Sequence, residues 1–240
     1  MTAIETRSSL VYKLGSGDNG RRLVALPPAG GGIQPYLGMA RSLTRYGDVH
    51  ALRASGLADG EQPDTDVPAM VSRYLETIRA LPTPPDVLVG WSLGGVLAWE
   101  VAVLLKRQTG RSAAVVMLDS FITLPTGSDL DSFATAVMET LAPTASDGEL
   151  ARFRRTTKAH VNAAANHEVT ARHDGPTLLL ACANGPVARQ RADWERLSTR
   201  LTTHVVECGH FELLGPTHQP TAAGYVNDFV RRVFATGGEQ

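Results

Sequence analysis

Cysteine is scarce in this chain: there are two in 240 residues, Cys182 and Cys208, and no Cys-x-x-Cys spacing. That excludes a disulfide framework and a cysteine-built metal site, and leaves both thiols as reduced packing residues of a cytoplasmic protein. Charge of one sign is missing too. Lys and Arg number 23 against 24 Asp and Glu, a formal net charge of -1 with no basic run, so the field that non-specific nucleic-acid or anionic-lipid binding needs is absent. No apolar run approaches the ~18 residues of a membrane span, and Met1 to Arg7 has no cationic stretch leading into an apolar one, as a secretory signal would. A cytoplasmic protein acting on neither nucleic acid nor membrane is expected.

What the chain does have is ordinary globular composition, 43% hydrophobic and 20% charged, and enough length to bury a core without staples. One domain over residues 1–240 is expected, a monomer holding no metal and no cofactor of its own.

Gly and Pro punctuation divides the chain into alternating elements. Short apolar runs that read as buried strands are Leu23 to Leu26, Asp48 to Leu52, Asp86 to Val89, Ala114 to Leu118, Thr177 to Ala181 and Thr203 to Glu207. Helical periodicity lies between most of them, over Tyr36 to Tyr46, Val67 to Leu81, Leu93 to Gln108, Val187 to Arg200 and Gln219 to Phe234. Strand alternating with helix predicts an α/β fold, a mostly parallel sheet with helices on both faces. Between Phe121 and Gly175 the rhythm breaks. This stretch offers no strand but two helical patterns, near Leu130 to Leu141 and Asp147 to Ala165, and reads as a helical insertion over about 121–175. The first nine residues read as a loose arm and residues 236–240 as a frayed tail.

The sharpest chemical signal is Gly90-Trp91-Ser92-Leu93-Gly94-Gly95, a Gly-x-Ser-x-Gly motif between a buried strand and the best helix in the chain. A strand reversing straight into a helix strains the residue between them, so its neighbours at 90 and 94 must be small. Ser92 is thereby lifted clear of the sheet over a helix N-terminus, and is the expected nucleophile.

A serine hydroxyl needs a base, and the base needs a group to hold it. Of seven histidines, only His210 follows the last strand on a loop at the sheet's carboxyl edge, where Ser92 also sits; His50, His160, His167, His173, His204 and His218 read as structural or surface residues. For the acid, the segment after Thr177 to Ala181 has no carboxylate before Asp193, whereas Asp119 directly follows Ala114 to Leu118. A carboxylate closing so apolar a run is explained as the partner of a histidine N–H. Developing negative charge on a reacting carbonyl calls for backbone donors. Leu93 N–H supplies one, and the loop Pro27-Pro28-Ala29-Gly30-Gly31-Gly32 the other, with Ala29 N–H the expected donor. That loop lacks the spacing of a phosphate cradle.

Taken together, Pro27-Pro28-Ala29-Gly30-Gly31, Gly90-Trp91-Ser92-Leu93-Gly94-Gly95 with Ala98-Trp99-Glu100-Val101-Ala102, Leu118-Asp119-Ser120 and Gly209-His210-Phe211 resemble the thioesterase domains that end non-ribosomal peptide synthetases. The resemblance runs from about Leu10 to Phe234. It implies an α/β-hydrolase fold in which the insertion is a lid. It also implies that Ser92 takes a peptidyl or acyl chain from the phosphopantetheine thiol of a carrier domain, and that water or an internal nucleophile then releases an acid or a macrocycle in antibiotic biosynthesis. Nucleophile, acid, base and oxyanion donors carry over onto Ser92, Asp119, His210, Leu93 and Ala29. No carrier is present in the chain, so the substrate is expected to arrive on a partner. Arg152, Arg154, Arg155 and Lys158 on the insertion form a candidate face for an acidic carrier, or a solvated helix face. Three other functions fit less of the sequence: a freestanding editing thioesterase, a small-molecule esterase or acyltransferase, and a catalytically silent binding module.

Overall fold

The computed structural model describes residues 9–122, 130–141 and 146–236. Among these residues, seven strands form one sheet: β1 (Val11–Gly15), β2 (Arg22–Leu26), β3 (Asp48–Leu52), β4 (Val87–Trp91), β5 (Ala114–Leu118), β6 (Thr177–Cys182) and β7 (Leu201–Val206). Their order is β1-β3-β2-β4-β5-β6-β7, antiparallel only between β1 and β3. The mostly parallel sheet is as expected. β1 is an addition, a strand without the apolar run of its neighbours, since an edge strand has one partner and half of it faces water. Lys13 ties β1 to β3 by pairing with Asp48 at 2.9 Å.

The helices are α1 (Leu37–Leu43), α2 (Val67–Arg79), α3 (Leu93–Thr109), α4 (Leu130–Leu141), α5 (Asp147–Ala165), α6 (Val187–Glu195) and α7 (Gln219–Thr236). Period-two alternation along the strands splits the core into two layers. Leu23, Ala25, Val87, Val89, Val116 and Leu118 face Met39, Ala40, Val226 and Val230 of α1 and α7. Val24, Leu26, Leu88, Val115, Met117 and Leu179 face α2 and α3, together with Trp194 of α6 and Val161 of α5. α3 is apolar almost all round because it lies in the middle of this second layer, and it ends at Gly110, whose φ of 75° continues no L-residue helix.

Several boundaries differ from the expected ones, among them the end of α1 at Leu43, of α2 at Arg79 and of β4 at Trp91. α6 stops at Glu195, where Leu197 and Ser198 N–H both turn back to the Trp194 carbonyl, and β7 starts at Leu201 to pair from Thr177 onward. Except for Ser9 and Thr236, the expected arm and tail lie outside the described residues. Both helical patterns of the insertion are helices. α5 opens with a capping box, Ser146 N–H donating to Glu149 at 3.0 Å.

Candidate active site

β4 delivers the chain to Ser92, and α3 carries it away at once. Ser92 has φ 57° and ψ −126°, a conformation L-residues adopt only when their surroundings impose it. The surroundings are glycine. A Cβ on Gly90 would meet the Gly94 carbonyl, one on Gly94 would come within 2.5 Å of the Leu26 carbonyl oxygen, and one on Gly95 would meet Ser120 Oγ. Ser92 N–H donates to the Leu118 carbonyl at 2.9 Å, so the turn is tied to the end of β5, where Asp119 begins.

Asp119 is itself left-handed, φ 48°, and buried. Its Oδ2 lies 2.7 Å from His210 Nδ1. An ionised carboxylate can only accept, so the ring proton is on Nδ1 and the lone pair on Nε2. His210 Nε2 is buried with no hydrogen-bond partner among the described residues. The ring stacks on Trp91, centroids 5.3 Å apart at 28°, and Phe133 and Phe211 flank it. The unpartnered Nε2 also means that no Ser92–His210 hydrogen bond is made here, as is common before substrate closes a site.

Burial pushes the Asp119 carboxyl up, but the His210 hydrogen bond and charge, with the Cys182 and Gln190 donors, outweigh it and hold the group below the usual aspartate value. The two supporting donors are Cys182 N–H at 3.0 Å and Gln190 Nε2 at 3.2 Å. Gln190 also donates to the Ser120 carbonyl at 3.0 Å, beside Trp194 Nε1 at 2.8 Å. Asp193 faces elsewhere, toward Arg189 and Arg196. Both cysteines are buried near Asp119 with Sγ atoms 3.7 Å apart. Burial, with Asp119 adding to it, raises both thiols, so neither is poised as a nucleophile.

The loop after β2 brings its amides to the same edge. Gly30 N–H donates to His160 Nδ1 at 3.2 Å and Gly31 N–H to the Pro28 carbonyl at 2.9 Å. Ala29 N–H is engaged by no described group, and Leu93 N–H, at the first position of α3, is likewise open. One hydroxyl joins the two strands that carry these loops: Tyr36 donates to the Leu26 carbonyl at 2.5 Å and accepts from Trp91 N–H at 3.0 Å. Beside Ser92 runs a narrow apolar cleft walled by Leu93, Val96, Ile122, Phe133, Val161 and Ala164. His167, also on that wall, pairs with Glu100 at 3.1 Å.

The five residues expected at the site thus meet at one sheet edge, with His210 and Asp119 in direct contact. Tyr36, Gln190 and His160 were not anticipated. Each reaches its partner across 55 to 130 positions of sequence, beyond any local pattern. Among the described residues no group of His, Cys, Asp and Glu has metal-ligand geometry, and no helix is long and apolar enough to cross a membrane.

A serine on a strand-to-helix turn, a buried His–Asp pair and two open amides, set at the carboxyl edge of a mostly parallel sheet, define an α/β hydrolase. Within that class the chain belongs to the thioesterase domain family, whose model matches residues 21–230. Similar curated proteins include a dimodular nonribosomal peptide synthase of Bacillus subtilis, 31% identical over 100 residues, which are 41% of this chain and 4% of that protein. Polyketide synthase PksR of the same species is 30% identical over 129 residues, 53% of this chain and 5% of that one. The chain therefore spans only a small part of the length of these relatives. Among solved structures, the Vlm2 thioesterase domain bound with a dodecadepsipeptide superposes with a TM-score of 0.75 at 21% identity, covering 91% of this chain and 97% of that one. The NocB thioesterase domain from the nocardicin cluster gives 0.75 at 23%, covering 95% and 100%. The fold and the family resemblance read from the motifs are those found.

Proposed function

We propose that this protein is a serine thioesterase that releases a peptidyl or acyl chain from the phosphopantetheine thiol of a carrier domain in non-ribosomal peptide biosynthesis. The observation that carries the proposal is the His210–Asp119 pair, which leaves the Nε2 lone pair unpartnered at the sheet edge where the strained turn presents Ser92.

In the first half-reaction Nε2 takes the Ser92 hydroxyl proton as Oγ attacks the thioester carbonyl. Negative charge on the carbonyl oxygen is met by Leu93 and Ala29 N–H, and Asp119 steadies the imidazolium. The tetrahedral species collapses, the C–S bond breaks, and the thiol leaves with the proton from His210. An ester on Ser92 remains. In the second half-reaction His210 takes a proton from water, or from an amine or hydroxyl of the chain itself. The new nucleophile attacks the ester, and Ser92 recovers its proton. Water yields an acid; an internal nucleophile yields a ring. Exclusion of water by α4 and α5, acting as a lid, would favour the ring.

The chain needs no cofactor for this chemistry, since the phosphopantetheine arrives with the substrate. We take it to act as a cytoplasmic monomer, one domain with residues about 121–175 as the lid. The apolar cleft beside Ser92 fits the first apolar part of an acyl chain, and Vlm2, of the same fold, binds a dodecadepsipeptide. The test is mass spectrometry of products from a panel of peptidyl thioesters, with an active-site fluorophosphonate as label. Parent protein should label and release acid or ring, and Ser92→Ala should do neither, with kcat down at least about 10⁴-fold. Full activity in Ser92→Ala would refute the mechanism.

A further inference from the structure

His160 sits on α5, in the insertion, yet its ring reaches the loop that follows β2. It is fully buried, and Nδ1 accepts from Gly30 N–H at 3.2 Å. Because an amide can only donate, Nδ1 must present its lone pair and the ring proton must be on Nε2. The imidazole is held neutral: burial, only partly offset by Asp64, pulls it down to about 4. The approach of α5 to this loop is as close as the chain permits. Gly30 is left-handed, φ 63°, and a Cβ there would meet Thr157 Oγ1 and lie 2.8 Å from Thr157 Cα. At the loop after β3, α5 repeats the arrangement, since a Cβ on Gly56 would lie 2.6 Å from Thr156 Oγ1. Arg152 and Arg155 fasten the same helix through the Leu57 and Glu61 carbonyls at 3.1 and 3.0 Å.

Gly30 directly follows Ala29, whose N–H stays open. Ala29 N–H shares its peptide plane with the Pro28 carbonyl, which Gly31 N–H closes into a turn at 2.9 Å; His160 anchors the middle plane of that turn through Gly30 N–H, and so supports the turn that orients the Ala29 amide. We propose that His160 is a positioning residue which, through Gly30 N–H, aims the Ala29 amide at the reacting carbonyl and so makes the oxyanion donor depend on the seating of lid helix α5. This rests on the thioesterase mechanism proposed above. A substrate that seats the lid completes the donor pair; a lid lifted from the loop removes one donor while leaving Ser92, His210 and Asp119 in place.

The test compares His160→Asn, whose side-chain oxygen falls near the position of Nδ1, with His160→Leu, which cannot accept. With a short acyl thioester of N-acetylcysteamine, the Leu variant should lose about 10- to 100-fold in kcat with KM changed less than threefold, the cost of weakening one oxyanion donor. The Asn variant should stay within about threefold of parent. Both should label with a fluorophosphonate at Ser92. Equal kcat in Leu and parent, or equal loss in Leu and Asn, would overturn the role. A second arm needs no variant: nitrogen shifts of His160 in the labelled parent protein should report the Nε2–H tautomer at pH 7, with coupling across the Gly30 N–H bond. An Nδ1–H tautomer or a charged ring would overturn it. Parent protein that turns over no thioester would instead refute the thioesterase mechanism, and the nitrogen shifts would still decide whether His160 holds Gly30.

Discussion

Two histidines that share a fold do opposite things because of what each nitrogen meets. His210 gives its Nδ1 proton to a carboxylate and keeps a basic Nε2; His160 gives its Nδ1 lone pair to an amide and stays neutral. The second arrangement leaves a mark on stability. Folded His160 titrates at about 4, whereas an unfolded histidine titrates near ~6.5. Between those values the unfolded chain binds a proton that the folded chain does not, so stability is complete above the upper value and falls as pH drops toward the lower one. Over the full window the loss is about 3 kcal/mol from this ring. Asp64, itself clamped by Arg73 at 2.8 Å, is the charge that faces it, and the neighbouring Tyr74 is un-ionised there, its phenol raised by burial. Burial also lowers His50 and His173, which steepen the same slope, so the measurement is a difference. Denaturant midpoints of parent and His160→Asn, taken from pH 7 to pH 4, should diverge, with the parent the more acid-sensitive. Parallel curves would show that the ring is not buried neutral.

At the scale of elements, the strand-to-helix turn was legible because independent constraints meet in six residues: an apolar strand, two small flanking positions, a serine and a long apolar helix. Asp119 was legible for a different reason, the lack of a carboxylate between β6 and Asp193. β1 was not legible, because Val11-Tyr12-Lys13-Leu14-Gly15 is half exposed and carries a bulge between Lys13 and Gly15, which blurs the alternation that marks a strand. Nor were the bonds of Tyr36, Gln190 and His160, since a hydrogen bond between distant segments leaves no periodicity behind. The turn itself stores strain that can be measured. Ser92 holds φ 57° with a Cβ in place, at a cost of order 1–3 kcal/mol. Ser92→Ala keeps that Cβ and that cost. Ser92→Gly removes both, though it also gives the unfolded chain more freedom, worth roughly 0.5–1 kcal/mol in the other direction. The net expectation is that Ser92→Gly is the more stable of the two inactive variants by about 1 kcal/mol, or roughly 2–4 °C in Tm for a chain of this size. Calorimetry of the pair decides it, and a Gly variant that melts below the Ala variant would mean that the turn is relaxed.

For the whole molecule, a net charge of -1 offers no general attraction for an acidic carrier, so any electrostatic docking must come from a local patch. The cluster on α5 is smaller than its sequence implies. Arg152 is committed to Asp59 at 2.5 Å and to the Leu57 carbonyl, and Arg155 to the Glu61 carbonyl; both fasten α5 to the loop that Arg53 and Glu61 stiffen with a 2.6 Å pair. Reversing Arg155 would disturb the seating of α5 as well as the surface, and so could not separate docking from seating. Arg154 is exposed on the same helix and is the better probe. If α5 presents the carrier-facing surface, Arg154→Glu should slow transfer from a loaded carrier several-fold through its on-rate, the more so at low salt, because a surface charge acts over a Debye length of ~10 Å at 0.1 M. The same variant should handle a small thioester at the parent rate, because Arg154 makes no part of the Ser92 cleft. Stopped-flow transfer from carrier at two ionic strengths, set beside turnover of the small thioester, separates the outcomes. Slowing of both substrates alike would place the effect in the seating of α5, and slowing of neither would leave α5 a solvated face.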